Sequence, residues 1–143
     1  SYNKCNGNQG NIEGCFDAGK PAKFIIGGYS LAGLFALWCG YQTPIFDCVV
    51  AASPSVWYPK WIDYASTFRP LAHYFYLSMG NKEGKTRNRM MASIEKNLRQ
   101  QSELFYCQGV EHIVEWNEGG HFQQTAQRTA KGFVRAIQSQ IKS

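Results

Sequence analysis

Apolar residues along the chain form four short runs, separated by longer segments in which apolar positions recur with helical spacing. Short apolar runs bounded by glycine or polar residues are typical of strands that are buried in a parallel sheet. They predict four strands, at Lys23–Gly28, Phe46–Ala52, His73–Met79 and Val110–Trp116.

The segments between these runs predict three helices, at Leu31–Tyr41, Thr86–Glu103 and Gln124–Ile141. Within the second helix the apolar stripe is predicted at Met90, Met91, Ile94 and Leu98. Within the third helix the inward face is predicted at Ala126, Ala130, Phe133, Val134 and Ile137. Strands that alternate with helices are typical of an α/β fold with a parallel sheet, here with the strands as neighbours in chain order. Residues 1–22 are polar and rich in glycine and predict a loop or tail, which leaves residues 23–143 for the folded portion.

Composition narrows the class of protein. With 143 residues, 44% of them hydrophobic and 17% charged, the chain has the composition of one globular domain. The net charge is +5, but the basic residues are scattered, and their densest cluster, Lys82–Arg89, favours a solvated loop and helix start over a nucleic-acid site. No apolar stretch reaches the length of a membrane helix. We therefore expect neither a nucleic-acid nor a membrane partner.

The five cysteines form no CxxC pair and lack the ligand spacing of a zinc site, so no metal is expected. Cys39, Cys48 and Cys107 lie in or beside apolar runs and favour buried thiols in a reducing compartment, weakly a cytoplasmic one. A disulfide between Cys5 and Cys15 stays open as an alternative for the N-terminal segment.

The first predicted strand runs directly into Gly28-Tyr29-Ser30-Leu31-Ala32. This stretch is close to Gly-x-Ser-x-Gly, the sharp strand-to-helix turn that lifts a nucleophilic serine clear of a sheet. Residues two before and two after the serine crowd each other in that turn, and Gly28 and Ala32 are both small. The alternative is that Ser30 only caps the following helix.

Two further groups follow strand ends. Glu83 comes just after the third strand, and His121 follows the fourth strand and two glycines. Catalytic groups of open α/β sheets gather at the carboxyl ends of strands, and the order serine, acid, histidine is that of α/β-hydrolases. Taken singly, a carboxylate at the position of Glu83 is far more commonly a solvated loop residue, and the alternative for His121 is a surface or capping role. The histidines inside predicted strands, His73 and His112, are interpreted as structural.

The second strand leads into a loop with Trp57 and Tyr58, followed by Trp61. These rings are candidates for stacking on a sugar or an aromatic acyl group, although aromatic residues after a strand are as often simple packing.

Four stretches together resemble a known family: GYSLAGLFALW, ASPSVWY, YLSMGNKEGKTRN and GGHFQQTAQRTAKGF. They are similar to the C-terminal part of the α/β-hydrolases that include enterochelin esterases, feruloyl esterases and S-formylglutathione hydrolase. The resemblance covers most of the chain from Lys23 onward.

The resemblance implies Ser30 as nucleophile, His121 as general base and Glu83 as the acid, with Asp63 and Glu95 as alternative acids. It implies the backbone amide of Leu31 as an oxyanion donor, and it requires no cofactor.

The function expected from the resemblance is hydrolysis of a small-molecule carboxylic ester through an acyl-enzyme. Acyl transfer by the same residues, or a non-catalytic interaction module that kept the fold, are the alternatives. The resemblance further implies that the first strands of the fold precede Ser1. We therefore expect a weak or inactive esterase in isolation, with the edge of the first strand covered by a second copy or by the rest of the parent protein. The family includes cytoplasmic and secreted proteins, so it leaves the location open.

Overall fold

The computed structural model describes residues 22–85 and 87–142. The predicted N-terminal tail, apart from its last residue, and Cys5 and Cys15 lie outside the described residues.

Four parallel strands form the single sheet of this described portion, and they lie in chain order β1-β2-β3-β4. Their bounds are Ile25–Tyr29, Cys48–Ala52, Tyr74–Gly80 and Glu111–Asn117. The parallel α/β fold and the strand order predicted from the sequence are confirmed, with each strand beginning one or two residues later than predicted. Because all strands are parallel, their carboxyl ends lie along one edge of the sheet.

Within the described residues, five helices connect and flank these strands. In chain order α1 to α5 they are Leu31–Gln42, Trp61–Thr67, Arg89–Ala92, Ile94–Cys107 and Thr125–Lys142. Helices α1, α2 and α4 bury one face of the sheet, in a cluster centred on Leu37, Phe75 and Phe105. Helix α5 covers the opposite face, where Val50, Tyr76 and Ala136 are buried. The sheet is therefore sandwiched between helices, which explains why β2 and β3 are buried along their whole length.

The predicted helix at Thr86–Glu103 is wrong in its extent. The structure has the short helix α3 and the longer helix α4, separated at Ser93, and Thr86 is not described. The Ser93 hydroxyl donates to the Met90 carbonyl at 2.6 Å, a local side-chain bond that competes with helix continuation. Ile94 and Leu98 are buried as expected, whereas Met90 is 48% exposed. Helix α2 was not predicted, because its short sequence mixes polar and aromatic residues.

The inward face predicted for the last helix is also wrong. Helix α5 buries Arg128, Gly132 and Ala136, while Ala126 and Ala130 are exposed. Two predicted core residues, Val134 and Ile137, are 52% and 49% exposed, and Phe133 alone of that set packs against the core. Compared with the prediction, the helix is rotated about its axis, because a glycine and a hydrogen-bonded arginine face the sheet. A search for apolar positions identifies neither residue.

Two of the three described cysteines, Cys39 and Cys48, are buried as expected. Cys107 is exposed at the end of α4, so the prediction of a buried thiol is wrong there. Within residues 22–85 and 87–142, the helices are all too short or too polar to cross a membrane.

Gly132 sets how closely α5 approaches the sheet. A Cβ atom at this position would lie 2.4 Å from Cγ1 of Val50 and 2.7 Å from the Tyr76 ring. Replacing a mid-helix glycine with alanine ordinarily stabilises a helix by about 1 kcal/mol. Here we expect Gly132→Ala to lower the free energy of unfolding by about 1–3 kcal/mol, because the added methyl group overpacks a rigid interface.

Denaturant unfolding measures this change, with Gln138→Ala on the exposed face of the same helix as the control. Gly132→Ala at or above the stability of the unsubstituted chain would contradict the close packing described here.

Candidate active site

Ser30 occupies a sharp turn between β1 and α1. Its backbone φ is 60° and ψ is −120°, a region that non-glycine residues rarely adopt. A Cβ atom at Gly28 would lie 2.6 Å from the carbonyl carbon of Ala32, so the two small residues meet across the turn. The positive φ and the crowding expected of a strand-to-helix elbow are both present, and Ala32 is accommodated where the motif has glycine.

The loop after β2 holds this turn in place. The Ser30 amide donates to the Ala52 carbonyl at 3.0 Å, and the Ser55 amide donates to the Ser30 carbonyl at 3.0 Å. The buried Ser55 hydroxyl also lies 3.4 Å from the Ser30 hydroxyl. The strained backbone of Ser30 is thus held at its amide by the end of β2 and at its carbonyl by the loop that follows β2.

His121 reaches Ser30 from the loop that follows β4. Its Nε2 lies 2.7 Å from the Ser30 hydroxyl oxygen. Gly119, with φ of 103°, turns the loop back over the sheet, and its amide donates to the Asn81 side chain at 3.1 Å. The Lys82 amide donates to the Gly119 carbonyl at 3.0 Å. The loops after β3 and β4 therefore support each other and aim the imidazole at Ser30.

Glu83 lies on the far side of the imidazole and is buried. Its Oε2 is 3.0 Å from His121 Nδ1, and its Oε1 accepts hydrogen bonds from the Ser53 hydroxyl at 2.5 Å and the Gly80 amide at 2.7 Å. Since an ionised carboxylate only accepts, Nδ1 must carry the proton. That tautomer leaves the Nε2 lone pair free to accept the Ser30 hydroxyl proton.

The environment of Glu83 favours its ionised form. Burial raises the pKa of this carboxyl, but hydrogen bonds from the His121 ring, the Ser53 hydroxyl and a backbone amide outweigh burial. The pKa of Glu83 therefore lies below its ordinary value of 4.5. A carboxylate ionised at neutral pH can orient the ring and stabilise an imidazolium.

Sequence reasoning missed four residues of this network: Tyr29, Ser53, Ser55 and Arg128. Ser53 is buried with a positive φ of 42°, and Arg128 forms a buried ion pair with Glu83 at 3.2 Å. The Tyr29 hydroxyl donates to the His121 backbone carbonyl. The sequence contains only weak signs of these residues. Two serines closely follow a buried strand, and one charged residue lies among the sheet-facing positions of α5.

The alternative acids lie elsewhere. Asp63 is exposed on α2, and Glu95 pairs with Arg99 at 3.1 Å on the surface of α4. His73 is exposed just before β3. His112 lies within β4, where its Nε2 is 2.8 Å from the Ser102 hydroxyl and its Nδ1 is 3.0 Å from the Val110 carbonyl. None of these side chains joins the group around Ser30.

The aromatic residues that follow β2 share one cavity. Trp57 and Tyr58 line a shallow cavity of about 150 Å³ whose lining includes none of Ser30, Glu83 and His121. Trp61 is buried, and its indole N–H donates to Gln101 at 2.8 Å, which supports the packing alternative for that ring.

Leu31 begins α1 directly after Ser30, so its amide has no intrahelical partner, and the positive end of the helix dipole lies beside the serine. The Leu31 side chain is 61% exposed and lines an apolar groove of about 270 Å³ with Phe35 and Trp38. In the part of the chain that the structure describes, no three His, Cys, Asp or Glu side chains are grouped to hold a metal ion.

Solved esterase structures have the same fold. The siderophore hydrolase EstB from Aspergillus nidulans matches 78% of this chain with a TM-score of 0.64 and 22% identity. The enterobactin esterase FES from Shigella flexneri matches 80% of it with a TM-score of 0.64 and 21% identity. An acylaminoacyl peptidase matches 81% of it with a TM-score of 0.56 and 13% identity.

At these identities the likeness shows the fold, so the resemblance to α/β-hydrolases that the sequence predicts is confirmed at that level. The matched region spans 48% of EstB and 31% of FES. Comparisons with protein-family models and with curated proteins give no match. The peptidase shares the fold with the esterases, and the fold therefore does not fix the substrate.

The depressed pKa of Glu83 predicts how stability depends on pH. A carboxyl with a lowered folded-state pKa stabilises the fold above its unfolded pKa, and that contribution is lost as the pH falls through the folded-state value. We expect Glu83→Gln to reduce the difference in unfolding free energy between about pH 7 and about pH 3.

Denaturant unfolding at the two pH values measures this difference, with Glu103→Gln, an exposed carboxylate on α4, as the control. A Glu83→Gln variant with the full pH dependence would show that this carboxyl is not held in its ionised form.

Proposed function

We propose that this chain belongs to a serine carboxylic-ester hydrolase in which Ser30 is the nucleophile, His121 the general base and Glu83 the acid that orients it. The observation that supports this most strongly is the continuous hydrogen-bond chain from Ser30 to His121 at 2.7 Å and from His121 to Glu83 at 3.0 Å. The strained, positive φ of Ser30 is a second support, because strain of this kind concentrates at functional sites.

In the acylation step, the Ser30 oxygen attacks the ester carbonyl carbon while His121 Nε2 takes the hydroxyl proton. The resulting oxyanion accepts a hydrogen bond from the Leu31 amide, a kind of contact typically worth about 3 kcal/mol in the transition state. His121 then gives its proton to the leaving alcohol oxygen. The carbon–oxygen bond of the ester breaks, and an acyl group stays on Ser30.

In the deacylation step, His121 takes a proton from water as the water oxygen attacks the acyl carbonyl carbon. The carboxylic acid leaves, and Ser30 regains its proton from the imidazole. Throughout the cycle the Glu83 carboxylate holds the tautomer and balances the charge of the imidazolium. An alcohol in place of water would give acyl transfer by the same residues.

Two of the similar structures are a siderophore hydrolase and an enterobactin esterase, which makes siderophore esters the first natural substrates to test. The apolar groove at Leu31, Phe35 and Trp38 adjoins Ser30 in the chain and would suit the apolar part of an acyl group.

We also propose that the free edge of β1 is paired in the working protein, by a second copy or by further strands of the parent protein. Among the described residues β1 pairs with β2 alone, and an open strand edge favours pairing. The test is the mass of the chain in solution together with its rate of ester hydrolysis. A monodisperse monomer that turns over at ordinary enzyme rates would contradict this proposal.

A fluorophosphonate probe tests the nucleophile, because it reacts only with an activated serine. We expect the probe to label the chain and Ser30→Ala to abolish both labelling and hydrolysis of a p-nitrophenyl ester. We expect Glu83→Gln to slow hydrolysis by about 10⁴-fold, because the wrong tautomer of His121 is then held.

Ser102→Ala is the matched control, since Ser102 also lies within hydrogen-bond distance of a histidine. This variant should keep both activities. Labelling that persists in Ser30→Ala, or that disappears in Ser102→Ala, would refute the assignment of Ser30.

A further inference from the structure

Helix α5 buries three residues against the sheet, and only Arg128 among them is charged. Its side chain is 2% exposed. Helix α5 carries no other candidate site residue, and the function proposed above does not use it. The arginine lies directly beneath the loop that carries His121, since its guanidinium contacts that loop and the buried carboxylate together.

Four groups accept hydrogen bonds from the Arg128 guanidinium. Nη1 lies 3.2 Å from Glu83 Oε1, 3.0 Å from the Gly120 carbonyl and 3.2 Å from the Tyr29 hydroxyl. Nη2 lies 2.7 Å from the Glu118 carbonyl. A planar guanidinium offers five donors in fixed directions, whereas the ammonium of lysine offers three donors that rotate.

These contacts reach the His121 backbone on two sides. Arg128 holds the two carbonyls at Glu118 and Gly120, which flank Gly119, the loop residue with a positive φ. Through the Tyr29 hydroxyl it is also connected to the His121 carbonyl, because Tyr29 donates to that oxygen. The same guanidinium therefore fixes the loop that carries the imidazole and the carboxylate that orients it.

Stability alone explains this residue poorly. Arg128 Nε is buried and has no hydrogen-bond partner among the described residues, and leaving a buried donor unpaired costs free energy. Buried ion pairs are also weak contributors to folding, compared with apolar residues of the same volume.

We propose that Arg128 is a positioning residue for the Ser30–His121 pair. Its guanidinium holds the Glu83 carboxylate and the backbone of residues 118–121 in the arrangement that keeps the imidazole aligned with the serine hydroxyl. This inference rests on the proposed function for its effect on rate. Its effect on the geometry of His121 can be measured without any activity.

The experiment compares Arg128→Met with Arg135→Met, a neutral replacement on the surface of the same helix. Two quantities are measured: the rate of fluorophosphonate labelling at Ser30, and the low-field proton NMR signal of His121 Nδ1–H in its bond to Glu83. We expect Arg128→Met to label about 10- to 100-fold more slowly, since small misplacements of reacting groups have effects of this size. We expect its low-field signal to broaden or disappear, and Arg135→Met to keep both properties.

A general loss of stability is controlled with Phe105→Leu. This residue is buried among Tyr41, Phe75 and His112, away from the candidate site, so its truncation weakens the core without touching the network. Measured below the melting temperature of every variant, Phe105→Leu should keep the labelling rate and the NMR signal. If Phe105→Leu loses labelling rate and NMR signal to the same extent as Arg128→Met, the effect of Arg128 is one of general stability, and the proposal is overturned.

Arg128→Lys keeps the positive charge but removes the planar guanidinium, so it separates the effect of charge from that of hydrogen-bond geometry. It also replaces Arg128→Met if the methionine variant does not fold. We expect the lysine variant to label more slowly than the unsubstituted chain, and full recovery would overturn the positioning role. If the unsubstituted chain is not labelled at all, Ser30 is not activated in this chain alone, and the NMR signal alone decides the role of Arg128. A low-field signal that survives in folded Arg128→Met would then refute it.

Discussion

One buried carboxylate, that of Glu83, connects the ends of all four strands. Glu83 itself follows β3, and it accepts a hydrogen bond from Ser53 after β2 and from His121 after β4. His121 in turn reaches Ser30 at the end of β1. A parallel sheet brings its strand ends to one edge, but it does not by itself bring side chains within 3 Å of each other. The carboxylate does so because each of its oxygens must be satisfied once it is buried.

The burial of this charge constrains the surrounding backbone. Several donors are needed to keep a carboxylate ionised away from water, and here they come from a hydroxyl, a backbone amide, an imidazole and a guanidinium. Ser53 supplies its hydroxyl from a backbone with a positive φ of 42°, and Ser30 at the neighbouring strand end also has a positive φ. The backbone strain at Ser30 and Ser53 and the close packing at Gly28 therefore occur together at the strand ends. The hydrogen bonds around Glu83 offset the free energy that this strain costs.

The sequence was sufficient for the sheet because apolar runs indicate strands that are buried on both faces. The strand order could be predicted because strands consecutive in sequence are usually neighbours in a sheet. It was sufficient for the sharp turn at Ser30, with its positive φ, because the close contact across that turn requires small residues at Gly28 and Ala32. It failed for helix α5, where an apolar stripe predicts the wrong face. Gly132 faces the sheet because the helix approaches the sheet closely there, and Arg128 faces it because its guanidinium is hydrogen-bonded. A hydrophobic pattern carries no information about close approach or about hydrogen bonding. The supporting serines Ser53 and Ser55 were missed because their partners come from strands distant in sequence.

The chain contains a second serine–histidine contact, and its difference from the first shows what the carboxylate adds. Ser102 lies 2.8 Å from His112 Nε2, nearly the distance found between Ser30 and His121. At the other ring nitrogen, however, His112 has the neutral Val110 carbonyl where His121 has a carboxylate. A carbonyl fixes the same tautomer but cannot balance the charge that the ring gains on taking a proton. Ser102 also lies within helix α4, with no strained turn or helix N-terminus beside it. The two serine–histidine pairs therefore have nearly the same distance, and they differ in the charge of the group at the other ring nitrogen.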